Sequence, residues 1–212
     1  MSTCQVWWAR TSDASPALDG LLAADDLARR ARLRQDGDRR RTTVATAVAR
    51  SLLGTALGVA PAEVPIDRTC PECGAPHGKP RVAGGPQFSV SHADDVVVVA
   101  VHAARAVGVD VEAVARCTPD LAAVLPGHAA GPEALARAWV RAEAVAKATG
   151  QGLGGEAAPA RVALVDLPAP AGFAAALAVL GSGPVRVHTH DAAGLLAQSS
   201  RRLPSATTRS HR

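Results

Sequence analysis

The 212-residue chain is long enough for one large domain or two small ones, and its 48% of hydrophobic residues excludes a disordered chain. No apolar run approaches the roughly 20 residues of a membrane span, the longest clear one being Val96 to Val101, and Arg10 follows the apolar Val6-Trp7-Trp8, the wrong order for a signal peptide, so a cytoplasmic protein without a membrane partner is expected. The net charge of +4 inclines the chain only weakly towards polyanions, whether nucleic acid, phosphates or an acidic protein. Along the chain, Gln5 to Ala9 reads as a short strand and Asp19 to Arg34 as a polar helix. Asp38 caps a second helix that runs to Leu57, with Gly58 as its stop and Val44, Val48, Leu52 and Ala56 as its core stripe. Val59 to Gly85, rich in Pro, Gly and Cys, reads as loop. Gln87 to Val90, Val96 to His102 and Val107 to Glu112 follow as three strands with a turn at Ala93-Asp94-Asp95, a meander pattern. Pro132 opens a helix that closes near Thr149 before Gly150 and Gly152. Arg161 to Asp166, Phe173 to Leu180 and Val185 to His190 are three further strands, and Ser199 to Arg212 is a polar, basic tail expected to be disordered. Helix then strands occurs twice in this order, with a join near Ala103 to Ala106.

Three pieces carry chemistry. In Gly108-Val109-Asp110-Val111-Glu112 the two acids are two apart, so on a strand they share a face. Paired carboxylates repel unless a cation or proton sits between them, and a hard divalent ion with oxygen ligands suits them; the alternative is a solvated strand end entering a turn. On the helix after Pro132, Leu135, Trp139, Glu143 and Lys147 are spaced by four and form one row that begins apolar and ends charged. That row either carries a partly desolvated acid and amine or holds an ordinary intrahelical Glu–Lys pair. In Phe88-Ser89-Val90-Ser91-His92, alternation puts the serines on one face with the histidine at the exit. Gly78-Lys79-Pro80 precedes it, and serine, histidine and lysine together can bind phosphate; the alternative is a capped strand end with a surface histidine. Lys79 and Lys147, the only lysines in an otherwise arginine-based chain, both fall in these pieces.

The order of a GKP loop, an SVSH strand, a GVDVE strand and a W-x-x-x-E-x-x-x-K helix ending in Gly-Gln-Gly-Leu resembles the 4′-phosphopantetheinyl transferases of the large, monomeric, surfactin-synthetase-activating type. The resemblance runs from about Arg29 to Val179, and Arg41-Thr42, with Arg50 further along, resembles that family's basic helix. It implies an α+β fold of two similar α/β halves related by a pseudo-twofold, with the active site in the cleft between them. Residues 1–104 would form the N-terminal half, 105–198 the C-terminal half and 199–212 the tail. It further implies transfer of phosphopantetheine from coenzyme A to a serine of an acyl or peptidyl carrier protein, with magnesium as cofactor and 3′,5′-ADP released. Asp110, Glu112 and Glu143 would be the metal ligands, and Glu143 and Lys147 the catalytic pair, Lys147 facing the pyrophosphate. Lys79, Pro80, Ser91 and His92 would hold the nucleotide and its phosphates, and Arg41 the 3′-phosphate. Ala45 stands where the family often has glycine, and the segment from Arg116 to Gly131, which in the family helps to dock the carrier, is short.

Cys70-Pro-Glu-Cys73, followed by His77, looks like part of a zinc site. A structural zinc takes four ligands and only three lie close by, so a proline-rich turn with partly buried thiols is the favoured reading. A zinc-stabilised basic module that binds nucleic acid would use this cluster and the isoelectric point near 9.3, but the chain lacks the aromatics on which bases stack, and no nucleic-acid partner is expected.

Overall fold

The computed structural model describes residues 2–118, 120–121, 125, 131–152 and 161–202. Among these, seven strands and four α-helices follow one another as β1 (Ser2–Arg10), α1 (Ala24–Ala31), α2 (Asp36–Leu57), β2 (Gln87–Ala93), β3 (Val96–His102), β4 (Val107–Ala113), α3 (Pro132–Thr149), β5 (Val162–Asp166), β6 (Phe173–Leu180), β7 (Val185–Asp191) and α4 (Ala193–Arg201). The strands form two sheets, ordered β2-β3-β1-β7 and β4-β6-β5.

Valine dominates the centre of the first sheet. The β3 residues Val96 to Ala100 are all buried, as a strand covered on both faces requires. One face meets α2 through Val44, Val48 and Leu53, with Val97 and Val99 opposite. The other face, through Val6, Val96 and Val98, meets Val109, Val111, Leu177 and Val179 of the second sheet. Helix α3 covers that sheet's outer face with Leu135, Ala136, Val140 and Ala144. The result is mixed α+β, with the sheets packed together and a long helix outside each. Within β1-α2-β2-β3 and β4-α3-β5-β6 the last strand pairs antiparallel with the other two, so both sheets contain the same strand arrangement.

Several sequence expectations change here. The expected Asp19–Arg34 helix divides into a 3₁₀ segment, Pro16–Leu21, and the short α1. In α2 the core stripe drifts: Ala56 is exposed and Leu53 takes the buried place. The meander holds only for the β2–β3 hairpin, turned at Asp94 with φ 47°, since β4 leaves to join the second sheet. Strand β7, in the expected C-terminal half, pairs parallel with β1, so residues 185–191 belong to the first sheet. Helix α4 extends to Arg201, into the segment expected to be disordered; residues 203–212 lie outside the described residues, as does most of the expected carrier-docking segment. Among the described residues no helix is long and apolar enough to cross a membrane.

Candidate active site

Strands β2 and β4 are facing edges of the two sheets, and no backbone ladder joins them. Serine hydroxyls join them instead. Ser89 Oγ accepts the Val109 N–H at 3.1 Å and Ser91 Oγ accepts the Val111 N–H at 3.4 Å, a matching two-residue step that makes the strands parallel. Ser91 donates its own proton to Asp110 Oδ1 at 2.6 Å. Helix α3 supplies the charge partner: Lys147 Nζ donates to Asp110 Oδ1 at 2.6 Å and to Ser91 Oγ at 2.9 Å. With one donated and two accepted bonds, the Ser91 hydroxyl is fully used. Asp110 is only 5% exposed, so the ammonium compensates a carboxylate withdrawn from water.

Glycine at 108 allows this proximity. A Cβ there would lie 2.0 Å from the Ala144 carbonyl oxygen and 2.4 Å from the Ala148 nitrogen, so α3 rests directly on the β4 backbone. The row on α3 behaves as its spacing predicts: Leu135 is in the core, Trp139 packs against it, and Glu143 and Lys147 reach a cavity. The ordinary intrahelical Glu–Lys pair is not what forms, because Lys147 bridges to Asp110 on β4.

Two adjoining cavities meet at these residues. The larger, about 470 Å³, lies between α2 (Thr42, Ala45, Thr46, Ala49), the loop residues Arg68 and His77 to Pro80, β2 (Phe88 to Val90, His92) and α3 (Glu143, Ala146, Lys147). The smaller, about 310 Å³, is lined by Val90, Ser91, His92, Asp110, Val111, Glu112, Trp139, Glu143 and Lys147. Among the titratable groups of the first, cations and imidazoles outnumber the single carboxylate, Glu143, and all three expected metal-ligating carboxylates line the second. Their oxygens are not drawn into one tight cluster: among the described residues only Cys70, Cys73 and His77 place three potential ligand atoms within 4.8 Å of one another. Glu112 accepts the Ala113 N–H at 2.8 Å. Burial, reinforced by the charge of Asp110 and partly offset by Lys147, raises the Glu143 carboxyl above its ordinary value.

Lys79 and Pro80 both line the larger cavity. The Lys79 amine donates to the Ala148 carbonyl at 2.6 Å and to the Val107 carbonyl at 3.3 Å, so it caps the C-terminal end of α3 and ties the loop to the seam. Burial lowers it to about 8. His92 lines both cavities, and burial together with the nearby Arg41 charge lowers its pKa. Arg41 itself is not in the lining: it pairs with Asp38 and donates to the Asp94 carbonyl at 2.9 Å. Arg50 lies deeper, paired with Asp26 and bonded to the carbonyls of Pro61, Ala62 and Val64, which removes it from any phosphate. Sequence reasoning missed Arg68, which lines the larger cavity and whose guanidinium makes no hydrogen bond or ion pair among the described residues. It lies in a loop without periodicity, so no local signal marks it.

The chain matches no family model. It is 32% identical over 155 residues, 64% of this chain and 62% of the relative, to the 4′-phosphopantetheinyl transferase HetI of Nostoc sp.. It is 34% identical over 104 residues, 49% of this chain and 35% of the relative, to a phosphopantetheinyl transferase of Thraustochytrium sp.. The chain thus spans less than two thirds of the length of either relative.

Proposed function

We propose that this chain transfers the 4′-phosphopantetheine group of coenzyme A to a serine of an acyl or peptidyl carrier protein, releases 3′,5′-ADP and depends on magnesium. It acts in this reading as a cytoplasmic monomer of the surfactin-synthetase-activating type, its two α/β halves related by a pseudo-twofold with coenzyme A in the cleft between them. One observation carries the reading. Lys147, fixed on Asp110 and Ser91, lines both the cation-rich cavity and the carboxylate-lined one. A substrate with a pyrophosphate between a nucleotide and a reactive arm needs that juxtaposition. The two similar proteins named as such transferases support it.

The donor set suits magnesium. Asp110, Glu112 and Glu143 offer hard oxygen ligands around one cavity; burial first and the Asp110 charge second raise the Glu143 pKa, and both favour a divalent cation beside these carboxylates. When bound, the ion supplies charge neutralisation to the pyrophosphate oxygens. The chain's own groups do the rest. Lys147 holds positive charge against the phosphate oxygens on which negative charge grows. Lys79, Pro80, Ser91 and His92 form the wall along the nucleotide and its phosphates, and Arg41 serves the 3′-phosphate from beside His92, with Arg68 as an additional cleft cation. The carrier serine oxygen attacks the β-phosphorus, the bond to the departing 3′,5′-ADP breaks, and Glu143 takes the serine proton on an oxygen not engaged by metal.

Fatty-acid, polyketide and nonribosomal-peptide carriers, incubated with the protein, coenzyme A and magnesium and then weighed intact by mass spectrometry, test the reading. A gain of one phosphopantetheine on a carrier supports it; no gain on any carrier, with folded protein, overturns it. Asp110→Ala is expected to abolish the gain while the protein stays folded, and retention of most activity at saturating magnesium would remove Asp110 from the metal site.

A further inference from the structure

Cys70, Cys73 and His77 take no part in the chemistry above, yet the loop folds to bring them together. Cys70 Sγ, Cys73 Sγ and a ring nitrogen of His77 all lie within 4.8 Å of one another, and Cys73 Sγ is 3.0 Å from His77 Nε2. Tetrahedral zinc, with bonds of about 2.3 Å to sulfur and about 2.0 Å to nitrogen, has ligand–ligand edges of about 3.5–3.8 Å, so only small side-chain adjustments separate this cluster from such a site. The backbone is already wound for it. The Cys70 N–H bonds the Ala75 carbonyl at 2.8 Å, and the Gly74 N–H bonds the Cys70 carbonyl at 2.9 Å. Gly74 takes φ 73°, a conformation that a side chain would strain. The other two cysteines lie elsewhere, Cys4 and Cys117 both being buried in separate cores.

We propose that Cys70, Cys73 and His77 bind a zinc ion through two thiolates and one imidazole, with water as the fourth ligand, at the rim of the larger cavity. Binding releases the two thiol protons to solvent and uses neutral His77 through Nε2. The rim position follows from His77, which also lines that cavity. The role is to fix the loop that presents Lys79. The Gly78 N–H already bonds the Arg68 carbonyl at 2.7 Å, and a Cβ at Gly78 would lie 2.7 Å from the Thr69 carbonyl oxygen, so the two arms of the loop are in direct contact just beyond the cluster. The favoured turn reading from sequence counted too few ligands for a closed structural site; a site with one water needs only the three present.

The 212-residue chain, reduced, stripped with a chelator and titrated with Co(II), gives the test. Expected are thiolate-to-cobalt charge-transfer absorption and the ligand-field bands of four-coordinate cobalt, saturating at stoichiometric metal and bleached by Zn(II). Cys70→Ser and Cys73→Ser should each diminish the charge-transfer band, His77→Ala should shift the ligand-field bands, and Cys117→Ser should change neither. Absence of thiolate bands at stoichiometric cobalt, or their persistence unchanged in both Cys70→Ser and Cys73→Ser, overturns the proposal. Should a ligand variant fail to fold, ¹¹³Cd NMR of the wild-type chain decides. A resonance in the two-sulfur range supports the site, and one in the oxygen-only range, or none, overturns it. None of these readouts depends on transferase activity, so failure of the zinc site and failure of the proposed function are separately visible.

Discussion

Helices α2 and α3 wall the same cavity from opposite sides, but they do so with different chemistry. The α2 residues in the lining are Thr42, Ala45, Thr46 and Ala49, small and uncharged, whereas α3 contributes Glu143 and Lys147. Helix α2 is rich in arginine, yet Arg41 is held by Asp38 and Arg50 by Asp26. Arg50 is buried in the fold and Arg41 stands behind the lining, beside His92, so of the two helices only α3 sets charged side chains in the cavity wall itself. A helix's count of basic residues therefore says little about its ligand until the partner of each charge is known.

The sharpest way to break the α2 side is Arg50→Leu. Asp26 and Arg50 are 1% and 4% exposed, and Arg50 also satisfies three loop carbonyls. Asp26 keeps Arg29 and the Ala23 N–H, but the buried pair is broken and the three carbonyls lose their donor, a cost of about 3 kcal/mol, the lower end for breaking a buried pair. Denaturant unfolding should show that loss. On the proposed function, the fraction that remains folded should bind coenzyme A as the wild-type chain does, and a specific loss of that binding would put Arg50 back into the cleft.

On the α3 side, Gly108→Ala should cost about 3 kcal/mol, the upper range for overpacking, because the added carbon meets helix backbone rather than a mobile side chain. Lifting α3 off β4 also separates Lys147 from Asp110. The variant should lose both melting temperature and turnover, unlike Arg50→Leu. Near-wild-type values for both would mean that the helix can slide without disturbing the pair.

Much of this contrast was legible before the fold. Helix α3 runs from Pro132 to Thr149 as its Pro and Gly signals predict, and β3 matches its valine run at both ends. The two-residue spacing of Asp110 and Glu112 and the four-residue spacing of Glu143 and Lys147 are local periods, and both pairs line one cavity. What the sequence concealed is long-range. The Arg50–Asp26 pair spans 24 residues and the Lys79–Ala148 bond 69, and β7 reaches back to β1 across the chain. A serine that replaces a backbone ladder looks the same in sequence as one that faces solvent. Arg68 has no periodic neighbour to mark its face, and only the folding of the loop sets it in the lining.

Lys147→Arg sharpens the comparison without moving the backbone. The ammonium fits between Asp110 Oδ1 and Ser91 Oγ at 2.6 and 2.9 Å, and a planar, wider guanidinium places its charge differently against the two oxygens. Charge is kept, so the melting temperature should change little. A misplacement of about 1 Å can lower the rate on the order of a hundredfold. Wild-type turnover in carrier-loading assays would reduce Lys147 to a structural partner of Asp110.

The smallest expected effect concerns where the two walls interact electrostatically, at His92. Burial is the first cause of its lowered pKa and the Arg41 charge the second, with Lys147 contributing less. The folded chain therefore binds the imidazole proton more weakly than the unfolded chain, whose ordinary value is 6.5. Above 6.5 the neutral ring's contribution to stability is fully present; as pH falls towards the folded pKa the unfolded state gains protons first, and stability is lost across that window. Arg41→Ala removes the larger of the two cationic influences, so the His92 titration followed by NMR should move up towards 6.5 and the window should narrow. Lys147→Met should move it in the same direction but less far. If the Lys147 variant shifts His92 more than the Arg41 variant does, the charge that governs this histidine comes chiefly from α3 and the order of the two influences is reversed.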